Sequence, residues 1–175
     1  WWKYLFRLWR KSYNLMIKTY IFDIDNTICN TWPTLKSNNS YPFRFFSEAW
    51  RVSFIPSFKS MIISVGKRMK QDNSEVFFLS ARHRSLWIFT YFYLIRHVGF
   101  FSPHRLILVP EAASKIKIFD KFLNNVEGLI IVVDDLSFNT ENGETLFYSE
   151  VINYLKSKAG RIRYIGKNKI DLLIN

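Results

Sequence analysis

Five short, almost continuously apolar segments recur along the chain, and longer segments with helical periodicity separate them. Strands that are covered on both faces of a sheet show such unbroken apolar runs. The predicted strands span residues 19–24, 75–80, 105–109, 129–134 and 161–165. The predicted helices span residues 57–71, 84–97, 114–125 and 146–158.

This alternation of strands and helices predicts an α/β fold. Right-handed crossovers between parallel strands place helices on both faces of the sheet. We therefore expect a three-layer, Rossmann-like parallel sheet of about five strands. The 175 residues suit one ordinary domain. The predicted organisation is a basic aromatic N-terminal arm at residues 1–17 and a single domain at residues 18–175.

Polar residues follow the predicted strands at the end where a parallel sheet binds its ligand. They are Asp23, Asp25 and Thr27 after the first strand, Ser80 and Arg82 after the second, and Asp134 and Asp135 after the fourth. Lys115 and Lys117 begin the helix that leads to the fourth strand. We expect these side chains to converge on one rim of the sheet.

The chemistry that suits such a rim is phosphoryl transfer. Clustered carboxylates repel one another unless a cation neutralises them, and oxygen ligands without His or Cys suit Mg²⁺. A carboxylate can also attack phosphorus and form an aspartyl-phosphate. A hydroxyl, a guanidinium and an ammonium group can hold the phosphoryl oxygens. The rim therefore predicts a Mg²⁺ site suited to phosphoryl transfer.

The same residues resemble the motifs of haloacid dehalogenase superfamily phosphatases. The resemblance follows the family's order and covers residues 18–165. It runs through DIDNT (23–27), FLSAR (78–82), SKIKIFDKF (114–122) and VVDD (132–135). The first and last motifs together are specific, whereas the serine and the lysine alone are weak signals. The family implies a HAD-like fold and hydrolysis through an aspartyl-phosphate, with motifs similar to those of polynucleotide 3′-phosphatases.

The resemblance implies a role for each residue of the rim. Asp23 is expected to be the nucleophile and a metal ligand. Asp25 is expected to act as general acid and then base, with its backbone carbonyl on the metal. Thr27 would brace the Asp loop, residues 23–27, while Ser80 would bind the phosphoryl group with help from Arg82.

The remaining roles concern the lysine and the second acidic pair. The resemblance favours Lys115 as the active-site lysine because it heads a KxxIFxK run, and Lys117 is the alternative. Asp134 is the expected direct Mg²⁺ ligand, with Asp135 as a coupled second carboxylate. Asn26 replaces a glycine that is frequent in the family, and we expect the mechanism to be intact because Asn tolerates unusual backbone angles.

Other interpretations of these residues stay open. Acidic pairs at strand ends can be caps or solvated loops, and single Ser, Lys or Arg residues can be ordinary surface residues. Receiver domains also group Asp, Ser or Thr and Lys around Mg²⁺, but in a different order along the chain. An inactive phosphate-binding module is the other non-enzyme alternative. The three His residues show no paired spacing, and Cys29 is expected to pack behind the Asp loop.

The lengths of the segments between the motifs indicate whether a cap domain covers the site, and so how large the substrate can be. A helix and a strand use up most of the segment between His83 and Ser114, so no large cap fits there. Residues 28–56 can form a hairpin flap and a short aromatic helix. An essentially capless enzyme suits a bulky substrate, such as a nucleic-acid end or a lipid-linked sugar phosphate. A small metabolite or sugar phosphate, with the flap as a lid, is the alternative.

The charge of the chain points to an anionic partner. The 25 Lys and Arg residues against 14 Asp and Glu residues give a net charge of +11. Residues 1–15 form a candidate basic amphipathic helix that could bind an anionic membrane, pack on the domain or be a spurious extension of the chain. The single Cys29 suits a reducing compartment. We expect a cytoplasmic protein, with a peripheral membrane contact through the arm as the alternative, and the oligomeric state stays open.

Overall fold

The central sheet has five parallel strands, in a computed structural model that describes residues 17–31, 44–138 and 144–174. In chain order the strands are β1 (Lys18–Phe22), β2 (Ser74–Ser80), β3 (Leu106–Leu108), β4 (Leu129–Val133) and, after a two-stranded hairpin, β7 (Ile162–Ile165). The hairpin pairs β5 (Ser137–Phe138) with β6 (Leu146–Phe147). The spatial order is β3-β2-β1-β4-β7, so β1 and β4 are neighbours at the centre.

Helices cover both faces of this sheet. They are α1 (Arg44–Phe54), α2 (Lys59–Met69), α3 (Trp87–Val98), α4 (Lys115–Asn125), α5 (Ser149–Ser157) and α6 (Lys167–Ile174). Buried residues of α2, α3 and α6 pack on one face, and those of α4 and α5 pack on the other. Short 3-10 turns lie at Arg84–Leu86, Pro103–Arg105 and Ala112–Ser114. The helix α1 packs outside the main layers, through Ala49 and Val52 on Leu86.

The two helical layers explain the unbroken apolar runs of the strands. Successive side chains of a strand point to opposite faces of the sheet. In β1, Tyr20 and Phe22 join the core under α2 and α3, whereas Ile21 joins the core under α4 and α5. Because both faces are covered, β4 is apolar at every position and β1 is apolar from Tyr20 to Phe22.

The predicted fold class is confirmed. All five predicted strands and the four predicted helices are present, with ends that differ from the predictions by at most three residues. The predicted short aromatic helix within residues 28–56 is α1. The predicted hairpin flap falls largely on residues 32–43, and the predicted arm on residues 1–16, both outside the described residues. The sequence prediction missed α6 and the β5–β6 hairpin.

No helix in the described parts of the chain is both long and apolar enough to pass through a bilayer.

Candidate active site

The register of the two central strands places Asp23 next to Asp134. Phe22 of β1 is level with Val133 of β4, and one acidic residue follows each of them. The Asp23 N–H donates to the Val133 carbonyl at 2.9 Å, and the Asp134 N–H donates to the Ile165 carbonyl at 3.1 Å. The sheet hydrogen bonding therefore continues to the two aspartates and holds both backbones in place.

Lys115 bridges these two carboxylates. Its Nζ donates to Asp23 Oδ1 at 2.8 Å and to Asp134 Oδ2 at 2.7 Å. In α4, Lys115, Phe119 and Phe122 are the buried residues, at the spacing of a single helix face. The ammonium group is thus carried to the sheet by the same face that forms the core.

Lys117 is excluded from this cluster. It follows Lys115 by two residues, which corresponds to a rotation of about 200° around a helix. Its side chain is exposed, whereas Lys115 is only 3% exposed. The structure thus brings Lys115 to the carboxylates rather than Lys117, which was the alternative active-site lysine and a phosphate-binding candidate, because the core face of α4 directs Lys117 to solvent.

Three buried carboxylates form a group that fits a divalent cation. Asp23, Asp134 and Asp135 each offer an oxygen, and these oxygens lie within 4.8 Å of one another. All three residues are at most 5% exposed. A set of hard oxygen ligands suits Mg²⁺ better than a soft metal. The Asp25 side chain is not in this group, and the expected contact of its backbone carbonyl with a metal stays a prediction.

The Asp25 carboxylate is bound instead by Arg82 and Ser80. Arg82 donates from Nε to Oδ2 at 2.8 Å and from Nη2 to Oδ1 at 2.7 Å, a two-point ion pair. Ser80 Oγ donates to Asp25 Oδ2 at 3.0 Å. The sequence predicted both residues as phosphate ligands. In the structure they hold the predicted acid–base residue, because the turn after β1 directs Asp25 toward the end of β2.

Arg82 is held on its other side by residues that the sequence analysis did not assign to the site. Its Nη1 donates to Thr90 Oγ1 of α3 at 3.3 Å, and its Nη2 contacts Cys29 Sγ at 3.4 Å. Cys29 is fully buried behind the Asp loop, as predicted. Thr90 carries little sequence signal, since it is a single polar residue on the buried face of an apolar helix.

The Asp loop is closed by its own side chains. Asn26 has φ = +56°, a left-handed conformation that Asn tolerates better than most residues. Its Oδ1 accepts hydrogen bonds from the backbone N–H and the hydroxyl of Thr31. Thr27 Oγ1 accepts from the Asp135 N–H at 3.3 Å, so the predicted brace links the loop to the end of β4.

The second acidic pair has local partners as well. Asp134 Oδ1 accepts from the Leu136 N–H at 3.0 Å, and Asp135 Oδ2 accepts from the Ser137 hydroxyl. Ser137 was not predicted, although it follows Asp135 by only two residues. These bonds hold both carboxylates in the loop that follows β4.

Burial and mutual repulsion raise the pKa values of Asp23 and Asp135, whereas the neighbouring Arg82 lowers the pKa of Asp25. Burial raises the pKa of Asp23 well above its usual range, despite the nearby Lys115. Burial and the neighbouring Asp134 raise the pKa of Asp135 to about 7. Burial also acts to raise the pKa of Asp25, but Arg82 outweighs it and the net pKa is lowered. A cation between Asp23, Asp134 and Asp135 would relieve their repulsion. Asp25 is already neutralised by its ion pair with Arg82.

The two-point contact with Asp25 gives a prediction for Arg82. Arg82→Lys keeps the charge but cannot form the planar pair, so we expect the free energy of unfolding to fall by about 1–3 kcal/mol. Arg84→Lys is the matched control, because Arg84 is exposed two residues further along, and we expect a change within about 0.5 kcal/mol. Urea denaturation of both variants measures the difference. Equal losses in the two variants would show that the ion pair with Asp25 adds nothing to the free energy of unfolding beyond the effect of an exposed Arg.

No protein-family model matches the sequence, and no curated protein sequence matches it significantly. Solved structures do match the fold. The class C acid phosphatase from Bacillus anthracis superimposes with a TM-score of 0.50 at 12% sequence identity, covering 88% of this chain and 68% of that chain. The same phosphatase with tungstate bound gives a TM-score of 0.49, with the same identity and coverage.

The sheet and the structural match define the fold class of the chain. The chain has the five-stranded parallel sheet of a known acid phosphatase fold. At the carboxyl ends of its central strands it carries a buried carboxylate–lysine cluster.

Proposed function

We propose that the chain is a magnesium-dependent phosphomonoester hydrolase that acts through an aspartyl-phosphate on Asp23. The observation that carries the proposal is the buried cluster in which Lys115 bridges Asp23 and Asp134 with Asp135 beside them. A structural ion pair would need one carboxylate per lysine. Three buried carboxylates around one ammonium group leave excess negative charge, which is costly unless a further cation binds.

In the first step an Asp23 oxygen attacks phosphorus, and the bond from phosphorus to the ester oxygen breaks. The leaving oxygen takes a proton from Asp25, and the phosphoryl group stays on Asp23. When bound, Mg²⁺ would be held by Asp23, Asp134 and Asp135 and would supply positive charge to offset theirs and that of the phosphoryl group. Lys115 keeps its contacts to Asp23 and Asp134 and so orients the nucleophile.

In the second step Asp25 takes a proton from water, the water oxygen bonds to phosphorus, and the Asp23–phosphorus bond breaks. The pair with Arg82 keeps Asp25 ionised, which is the form that a base needs. The acid role of the first step requires Asp25 to gain a proton and to loosen this pair. Arg82 therefore acts as a positioning residue for Asp25 and favours the base form.

The substrate is proposed to be bulky or polymeric. The described chain from β2 to α4 forms only 3-10 turns, α3 and β3, so no cap lies over the site from that side. A nucleic-acid end or a lipid-linked sugar phosphate would fit an open rim. Small sugar phosphates are the alternative. Parallel assays with 3′-phosphorylated oligonucleotides, sugar phosphates and lipid phosphates test the choice, and a preference for sugar phosphates would reverse it.

The metal requirement is tested directly. Exhaustive chelation should abolish hydrolysis of an aryl phosphate, and added Mg²⁺ should restore it. At Mg²⁺ concentrations about 100 times the dissociation constant, the native chain should gain about 2.7 kcal/mol of stability. Asp135→Asn should lose most of this gain, whereas Asp120→Asn on the exposed face of α4 should keep it. Full activity after chelation would contradict a metal-dependent mechanism.

A further inference from the structure

Thr90 of α3 contacts the end of the Arg82 guanidinium that Asp25 leaves free. Arg82 uses Nε and Nη2 for the Asp25 carboxylate, at 2.8 and 2.7 Å, and its Nη1 donates to Thr90 Oγ1 at 3.3 Å. Thr90 is fully buried, and Arg82 is only 6% exposed. The Thr90 hydroxyl is therefore the partner that the structure gives to Nη1.

A hydroxyl group is unfavourable on the core face of a helix unless it forms a hydrogen bond. The buried residues of α3 are Thr90, Tyr91, Tyr93 and Leu94. Valine has nearly the same shape as threonine and would avoid the cost of burying a hydroxyl. The polar side chain at position 90 is thus explained by its contact with Arg82 rather than by packing.

The contact with Thr90 joins Arg82 to an element outside the Asp loop. Arg82 Nη2 also contacts Cys29 Sγ at 3.4 Å. Cys29 is tied to the turn that carries Asp25, because its thiol and its N–H both donate to the Ile24 carbonyl. A guanidinium held by Asp25 and Cys29 alone would move with that turn. The helix α3 is packed on the sheet through the core, so Thr90 holds the guanidinium against the body of the domain.

The Asp25 carboxylate takes its direction from Arg82. Both of its oxygens accept hydrogen bonds from the guanidinium, and Ser80 Oγ donates to one of them. A two-point pair fixes the carboxylate only as firmly as the guanidinium itself is held. In the proposed reaction Asp25 gives a proton to the leaving oxygen and takes one from water, and both transfers need a carboxylate at a fixed position.

We infer that Thr90 is a positioning residue for the proposed reaction: it holds Arg82 by Nη1, so that the Asp25 carboxylate stays directed at the reacting oxygens. This inference rests on the proposed function and adds to its machinery a residue of α3. Thr90 acts through the guanidinium and takes no part in the chemistry itself. Its loss should therefore slow turnover without weakening the binding of phosphate.

Thr90→Val removes the hydroxyl and keeps the shape of the side chain. We expect kcat for an aryl phosphate to fall at least about tenfold, because a small displacement of a catalytic group lowers the rate strongly. The inhibition constant of inorganic phosphate should change by less than about twofold, since Thr90 does not bind the phosphoryl group. Thr90→Ser keeps the hydroxyl, and its kcat should lie within about threefold of the native value.

Thr19→Val is the matched control. Thr19 is equally buried, and its hydroxyl has no hydrogen-bond partner in the part of the chain that the structure describes. Its kcat should be that of the native chain. If Thr90→Val folds poorly, Thr90→Ala and Thr90→Ser give the same comparison, because they differ by the hydroxyl alone. A native kcat in folded Thr90→Val, or equal kcat values in Thr90→Ala and Thr90→Ser, would overturn the inference.

NMR of the guanidinium separates failure of this inference from failure of the proposed function. In the native chain with isotope-labelled arginine, the Nη1 protons of Arg82 should give signals separate from those of Nη2, because hydrogen bonds at both ends slow the rotation of the group. Arg82→Lys identifies these signals by their loss. Thr90→Val should lose the separate Nη1 signals, whereas Thr90→Ser and Thr19→Val should keep them.

The NMR result decides the role of Thr90 whether or not the chain hydrolyses an ester. If the native chain hydrolyses no phosphate ester but Thr90→Val loses the separate Nη1 signals, the proposed function fails while Thr90 is still shown to hold Arg82. Unchanged Nη1 signals in Thr90→Val would contradict the inference even in an active enzyme.

Discussion

Asp23→Asn is expected to lower the hydrolysis of an aryl phosphate by at least about 10³-fold, because removal of a nucleophile leaves only the contributions of binding and charge stabilisation. The amide has almost the same shape as the carboxylate, and its oxygen can still accept the hydrogen bond from Lys115. The fold should therefore persist. Turnover at saturating substrate and Mg²⁺, together with the thermal midpoint, measures both expectations.

Asp120→Asn is the matched control for this substitution. Asp120 lies on the exposed side of α4 and accepts a hydrogen bond from the Tyr154 hydroxyl, which an amide oxygen can also accept. Its activity should be that of the native chain. If folded Asp23→Asn hydrolyses the ester at a rate close to the native one, Asp23 is not the nucleophile.

Lys115→Met should cause the largest loss of stability among the site variants. The substitution keeps an unbranched side chain on the core face of α4 but removes the cation between Asp23 and Asp134. Breaking a buried ion pair by removing one partner costs about 3–5 kcal/mol, because the other charges are left uncompensated. Urea denaturation without divalent metal measures the free energy of unfolding.

The neighbouring lysine gives an internal comparison. Lys117→Met changes the same residue type in the same turn of α4, but the side chain is exposed, and we expect a change within about 0.5 kcal/mol. Lys115→Met should also cost less in an Asp23→Asn background, since one of its two carboxylates is then neutral. Similar losses for the two lysines would contradict the bridging role of Lys115.

The sequence was sufficient to predict the sheet and the rim. Most positions of the central strands are apolar because both faces of the sheet are covered, and this makes β1 and β4 easy to recognise. The parallel order then places Asp23 and Asp134 at the same edge, as their register confirms. The expectation that Asn26 could adopt an unusual backbone angle is confirmed by its positive φ.

The pairing of side chains within the site could not be predicted in the same way. Motif spacing shows which residues reach the rim, but not that Arg82 turns to Asp25 or that Thr90 and Cys29 contact the guanidinium. Those contacts depend on the direction of the turn after β1 and on the packing of α3. The preference for Lys115 over Lys117 could have been derived from the helical pattern. Phe119 and Phe122 define the buried face of α4, and Lys115 lies on that face.

The helix α6 was missed for a different reason. It is eight residues long, and Ile170 is its fully buried residue among those whose side chains are described. So short a segment shows little apolar periodicity.

The most direct test of the account is to find the phosphoryl group on the protein during turnover. The native chain and Asp25→Asn would be mixed with an excess of aryl phosphate and Mg²⁺, quenched in acid, digested and analysed by mass spectrometry. The account predicts a phosphoryl group on Asp23 that accumulates in Asp25→Asn, because the base of the second step is missing. Steady hydrolysis with no phosphoryl group on Asp23 in either protein would contradict it.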